Sequence, residues 1–252
     1  MSFLIGLLAG IFGGLVGLGG GIVMIPLMVG ILKMGQHKAH GTSLVALVFT
    51  GISGAITYAM KGSIDLTASL LIATTAIFTA RAGAHYAHTL AEGKLKRLFG
   101  AFMIVISLLL LMKPFLPQFG QPALGWTKIT VLLTTGIASG FLSGMMGVGG
   151  GSIMVPAMVL LAGFTQHTAQ GSSLLAMVPA SGVGAFTHWR LGNVNVKLIP
   201  GLIPGILMGT FLGGSFAHML PEGMLRLVFV VILIWMGVKY LCSPFVPQDD
   251  SF

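Results

Sequence analysis

The stretch GGLVGLGGGIVMIPLMV, residues 13–29, returns as SGMMGVGGGSIMVPAMV, residues 143–159. The same register holds without a gap from Gly6/Gly136 to Gln118/Gln248, and about a third of the paired positions are identical. Both copies set a glycine triplet (Gly19–Gly21, Gly149–Gly151) and then a proline (Pro26, Pro156) inside an apolar run. Glycine weakens a helix through its backbone freedom, and proline through its missing N–H. The same weakness at the same place in both halves predicts that the chain has built something there.

Composition fixes the solvent. Of 252 residues, 55% are hydrophobic and 7% charged, with a mean hydropathy of +0.99. Soluble domains carry about 25% charged residues. So few charges cannot cover a water-facing surface, and the chain reads as an integral membrane protein. The expected fold is all-α and polytopic, with two homologous repeats and about eight to ten membrane segments. The opening MSFLIGLLAG lacks the basic region of a signal peptide, so the first helix is expected to stay in the mature protein. Neither end carries a lipidation motif. Cys242 is the only cysteine, which excludes an intramolecular disulfide or a cysteine-built metal site.

Thirteen Lys/Arg against five Asp/Glu give a formal charge of +8. Basic loops of a membrane protein account for much of this, and an anionic substrate would add to it. The basic residues are scattered singly, which argues against nucleic acid as a partner. The expected partners are a small anion and the lipid bilayer, and a homo-oligomer is compatible with the sequence.

Each copy reads as four apolar stretches: 3–32, 43–60, 64–90 and 98–112, then 130–162, 173–189, 196–220 and 227–242. The division is repeat 1 over 1–112, a breaker-rich linker over 113–129, and repeat 2 with a short polar tail over 130–252. The first stretch of each copy is too long for one crossing. Thirty helical residues reach about 45 Å against a hydrocarbon core of about 30 Å. If it crosses once, the basic loops divide evenly between the two sides. If it turns back at the glycines, Lys33, Lys38, Lys94, Lys96, Arg97, Arg190, Lys197 and Lys239 share one side, against Lys61, Lys113, Lys128 and Arg226. The second division obeys the positive-inside rule. It predicts inverted repeats, a cytoplasmic N-terminus and an extracytoplasmic linker.

Three successive glycines let a ligand approach the backbone closely. A half-helix starting after Gly21 or Gly151 would aim unpaired N–H groups and positive dipole at that ligand, which makes an anion site without a charged side chain. Close helix packing explains glycines equally well, as with the small-residue spacings Gly6, Gly10, Gly14 and Gly13, Gly17, Gly21. No Gly-Lys-Ser/Thr follows the triplets, and no strand–helix unit surrounds them, so phosphate-loop and dinucleotide readings fail.

GTSL (41–44) and GSSL (171–174) place hydroxyl pairs in register. Thr42, Ser43, Ser172 and Ser173 look like N-caps opening the second helix of each copy. The predicted substrate-binding set is Gly19, Gly20, Gly21, Thr42 and Ser43 with Gly149, Gly150, Gly151, Ser152, Ser172 and Ser173. Gln36, His37, Gln166 and His167, just upstream, read as interfacial anchors or gate residues. Arg81 shares a helix face with His85 and His88, where it can snorkel or pair with another helix. His88 recurs as His218. His188-Trp189-Arg190 ends a helix where an anion could be received or the chain anchored.

No acidic residue lies deep in a helix, so a carboxylate proton relay has no parts. No HExxH, carboxylate pair or recognisable nucleophile set suggests an enzyme. His37-x-x-His40 and His85-x-x-His88 lack the supporting ligands a metal needs. The chain is expected to need neither metal nor cofactor.

The repeated GLGGGIVMIPLMV and GVGGGSIMVPAMV, followed by GTSL and GSSL, resemble the TauE/SafE sulfite exporter family of membrane permeases across nearly the whole chain. The resemblance implies a multi-pass inner-membrane carrier for sulfite, sulfonates or related small anions, and the matched breaks predict alternating access between two repeats. The other function kept open is a membrane-embedded subunit that delivers a sulfur species to a partner enzyme.

Overall fold

The computed structural model describes residues 1–86, 92–112 and 125–242; the side chains of residues 36, 92–99 and 102 are outside that description. His88, most of the linker and the polar tail therefore lie outside the described residues.

The described chain is helical: α1 (Ser2–Val16), α2 (Gly21–Ile31), α3 (Gln36–Met60), α4 (Leu66–Tyr86), α5 (Glu92–Met112), α6 (Trp126–Met146), α7 (Gly151–Leu160), α8 (Gln166–Arg190), a 3-10 turn (Val196–Leu198), α9 (Ile199–Ala217) and α10 (Glu222–Leu241). It is a polytopic membrane fold. Five helices are long and apolar enough to cross a bilayer: His37–Met60, Leu66–Tyr86, Trp126–Met146, Val196–Ala217 and Glu222–Leu241. α8 matches α3 in length, but its sequence is polar and it lies within the bundle with Gln166, Gln170, Ser172 and Ser173 buried. Apolar side chains such as Leu70, Phe78, Phe216 and Val231 face outward, as contact with lipid requires.

Several boundaries differ from the sequence reading, α5 and α10 among them, which begin at Glu92 and Glu222 ahead of the apolar stretches. α3 and α8 begin two turns earlier than the apolar stretches, because the segments 36–42 and 166–172 are polar yet helical. α6 begins at Trp126, so residues 126–129 belong to a helix rather than a linker. α4 is described only as far as Tyr86.

The long first stretch breaks where the glycines stand. α1 ends at Gly17 and α6 at Gly147, both left-handed (φ 71° and 64°). Each cap N–H bonds back into its helix, on Gly13 O at 2.9 Å and Ser143 O at 2.8 Å. α2 and α7 then start at Gly21 and Gly151. With 15 residues α1 is about 22 Å long, and with 11 residues α2 is about 16 Å, so neither spans the membrane core alone.

Glycine contacts give the helix directions. Gly6, Gly10 and Gly14 of α1 lie against Leu202, Ile206 and Thr210 of α9 in ascending order, so α1 and α9 run parallel. Gly136, Gly140 and Gly144 of α6 lie in the same way against Ile72, Ala76 and Ala80 of α4. Ser53 Oγ of α3 donates to Leu207 O at 3.0 Å and Gly214 faces Thr57, so α3 also runs with α9. α3 and α8 are antiparallel, with Gly54 against Leu174 and Gly184 against Leu44. One set of helices (α1, α3, α9) therefore opposes another (α4, α6, α8). Since α1 and α3 point the same way, the chain comes back between them through α2. Helices that correspond between the two copies, α1 with α6, α3 with α8 and α4 with α9, point in opposite directions. The tight seams, α1 with α9 and α4 with α6, each join one helix from either half. Small residues on both sides let these backbones touch, which is the usual source of helix attraction where lipid removes the hydrophobic drive.

Candidate functional site

The two breaks meet. A methyl group added at Gly21 would lie 2.6 Å from Gly147 O and 2.9 Å from Val148 O. One added at Gly151 would strike Gly17 O and come within 2.8 Å of Leu18 Cα. Any side chain at these positions would push the crossing apart. The N–H groups of Val23 and Met24 bond Gly20 O (3.1 and 2.9 Å), and those of Ile153 and Met154 bond Gly150 O (both 3.0 Å). The N–H groups of Gly21, Ile22, Gly151 and Ser152 stand ahead of these ladders, at the positive ends of α2 and α7. Ser152 is buried in the first turn of α7. Met24, Met28, Met154 and Met158, in register between the two short helices, are buried behind the crossing.

Two hydroxyls tie the crossing together from opposite halves. Ser43 Oγ is 2.7 Å from Gly147 O and 2.7 Å from His40 O; Ser173 Oγ is 2.9 Å from Gly17 O and 2.8 Å from Gln170 O. One proton serves two carbonyls in each case. Thr42 and Ser172, one residue away, turn elsewhere. Thr42 Oγ1 accepts the Asn195 N–H and Ser172 Oγ the Asp65 N–H, both at 2.9 Å. They hold the loops that lead into α9 and α4 and stand apart from the glycines. None of the four hydroxyls is an N-cap, because α3 and α8 start at Gln36 and Gln166. The capping residue of α8 is Thr165, whose oxygen accepts the Thr168 N–H at 3.2 Å.

Leu47 and Met177, equivalent positions in the two copies, cover the glycines. A methyl at Gly19 would come 2.6 Å from Leu47 Cδ2 and would overlap Met177 Cε, and Gly149 lies against the same two side chains. Both are fully buried. Their matched spacing was available in the sequence, but apolar residues inside an apolar helix carry no separate signal.

A second pair in register closes the seams. Tyr58 donates to Gly14 O at 3.0 Å, and its hydroxyl is 2.9 Å from Gln170 Oε1. His188 Nε2 is 3.1 Å from Gly144 O, so that nitrogen carries the hydrogen. His188 is therefore a buried clamp on α6, whereas Arg190 is exposed. Arg190 stacks on Phe186, 4.6 Å from the ring centre, and lines a pocket with Arg81.

The upstream residues sit at the helix starts. The Gln166 N–H donates to Glu222 Oε1 at 3.0 Å, and its side chain is buried. His167 Nε2 donates to Ala217 O at 3.1 Å, with its ring 5.2 Å from that of His218. His218 bonds Gly214 O through Nδ1 (2.8 Å) and meets Ser63 Oγ at Nε2 (3.2 Å). Burial, then the nearby His167 and Lys61, hold the His218 pKa below its ordinary value against the opposing pull of Gly214 O. His37 begins α3 and is half-buried, and the Gln36 side chain lies outside the described residues.

Residues 2–240 match the family described as Sulfite exporter TauE/SafE. The chain belongs to the TauE/SafE family. Among similar proteins, the probable membrane transporter protein YunE of Bacillus subtilis is 30% identical, covering 96% of this chain and 98% of its own length. The probable membrane transporter protein YdhB of the same species is 26% identical over 90% of this chain and 93% of its own. The probable membrane transporter protein MJ0441 of Methanocaldococcus jannaschii is 25% identical over 77% and 73%. No solved structure matches significantly. This TauE/SafE chain is thus a multi-pass membrane transporter.

Proposed function

We propose that the protein is a secondary carrier for a small oxyanion, sulfite or an organosulfonate, in an inner membrane with its N-terminus in the cytoplasm. The observation that carries this reading is the meeting of two helix N-termini, α2 and α7, at one buried point with two hydroxyls across it. Such a point favours negative charge without a charged side chain. Leu47 and Met177 fill it in this structure, so the carrier reading makes this the closed state. The opposed helix directions support reading 1–112 and 130–252 as inverted repeats. They also put Lys33, Lys38, Arg190, Lys197 and Lys239 at the α1-start end, which favours a cytoplasmic N-terminus.

The moving bodies differ from the two halves of the sequence. Rocking one half against the other would part both glycine seams. The intact bodies are instead α1–α3–α9 and α4–α6–α8, sliding at the α3–α8 contact, and each draws helices from both halves. Purified protein in liposomes tests this through sulfite and sulfoacetate flux. In a Cys242→Ser background, a disulfide between Ser2→Cys and Gly201→Cys, within one body, should leave flux intact. A disulfide between Gly54→Cys and Leu174→Cys, across the bodies, should abolish flux until reduced. Full flux with the second cross-link closed would sink the mechanism. No anion flux in any wild-type preparation would sink the carrier.

A further inference from the structure

The α1-start end of the bundle holds a cavity of about 350 Å³ between α4 and α8, lined by Arg81, His85, Val183, Phe186, Thr187 and Arg190. From this cavity we infer a second oxyanion site, apart from the glycine crossing and present on one face of the protein only. Its ligand class is an oxyanion carried on a short apolar stem.

Two guanidiniums from different helices converge on one cavity, and no carboxylate among the described residues pairs with either. Asp65 caps the start of α4, and Glu222, in the first turn of α10, accepts the Gln166 N–H; both lie at the opposite end of the bundle. Like charges that share a cavity repel, and an anion seated between them relieves that repulsion. Guanidinium is the group best shaped to hold an oxyanion with two parallel bonds. Arg81 and Arg190 are both exposed, so the cavity is open to a ligand from outside the bundle. Arg190 is fixed by its stacking on Phe186. Thr187 Oγ1 gives its proton to Val183 O at 2.8 Å, which leaves the guanidiniums as the charged donors of the cavity.

Beside His85 and Thr187, the wall has an apolar part made by Val183, Phe186 and Leu191. A bare inorganic ion would leave that wall unused, and a cavity this large suits an organic group. Gly182 faces the space, and a side chain built there meets nothing within 4 Å. At the opposite face the positions in register with Arg81, His85 and Arg190 are Phe211, Ser215 and Met60. The cationic cavity therefore has no counterpart there, although the rest of the fold is matched end to end.

A free organic anion and an anionic lipid headgroup share this chemistry, and the test separates them. Trp189 reports on the site, its ring 6.0 Å from Phe186. Its emission is read in the full chain carrying Trp126→Phe and Trp235→Phe. In phosphatidylcholine nanodiscs, butane-1-sulfonate should give a saturable change. Arg81→Gln and Arg190→Gln should each weaken it at least tenfold, and so should Gly182→Leu, which fills the cavity without touching a charge. A response to phosphatidylglycerol in place of butane-1-sulfonate, lost in the same variants, keeps the site and assigns it to lipid. No response to either, or equal responses in wild type and variants, overturns the site. Sulfite flux on the same preparations separates the two ideas. Flux absent with binding intact strikes the carrier alone; binding absent with flux intact strikes this site alone.

Discussion

At the scale of single residues, the two breaks match in sequence but differ in backbone. Gly20 is left-handed, with φ 80°, whereas Gly150 is right-handed, with φ −76°. A methyl at Gly20 would also run into the Ala9 carbonyl, while one at Gly150 meets the far end of Met154 at 2.7 Å and Ser139 Cβ at 3.0 Å. A left-handed L-residue costs roughly 1–2 kcal/mol before any clash. Gly20→Ala should therefore destabilise by more than about 2 kcal/mol, and Gly150→Ala by about 1 kcal/mol or less. Thermal unfolding in detergent measures both; equal losses would show that the two backbones are not distinct. The repeated glycines were legible in the sequence as a place of consequence. Their handedness was not, because identical triplets can take different dihedrals once neighbours press on them.

At the scale of helices, reading apolar runs found every long helix but started several late, α3 and α8 by the most. The segments QHKAHGTS and QHTAQGSS are polar, and hydropathy cannot register a polar turn that is buried in the bundle and bonded to a neighbouring loop. That error turned Thr42, Ser43, Ser172 and Ser173 into caps, whereas Thr42 and Ser172 hold neighbouring loops and Ser43 and Ser173 hold the opposite glycine break. The junction of α9 with α8 yields a pH effect. His218 has a lowered pKa in the folded protein, so the native state holds its proton less well than the unfolded chain. Above about pH 6.5 both states are neutral and stability is unaffected. As pH falls below that value the unfolded chain gains protons first and stability drops, levelling off once the folded pKa is passed. Melting temperature in detergent should fall between pH 7.5 and pH 5.5, and less steeply in His218→Gln. A variant with the same slope as the parent would remove His218 from the account.

At the scale of the molecule, the charge count led to an expectation of inverted halves, while the glycine contacts fix the directions of individual helices. The interleaving of the halves was not legible, since a repeat in sequence says nothing about which helices share a seam. The directions can be checked with the lone cysteine. Cys242 is exposed at the end of α10, on the face where α1 begins. Lys61 follows α3 at the other face. In sealed vesicles a membrane-impermeant maleimide should label either Cys242 or a Lys61→Cys residue (in Cys242→Ser) from outside, never both in the same orientation. Labelling of both from one side would require the helix directions to be redrawn.

The seam between α1 and α9 also sets a schedule for biosynthesis. α4 and α6 are made close together, but α1 starts at Ser2 and α9 only at Ile199, with most of the chain between them. At roughly 5–20 residues per second, α1 waits on the order of 10–40 seconds in the membrane before its partner emerges. Throughout that interval the glycine face of α1 is without the helix that covers it in the folded protein.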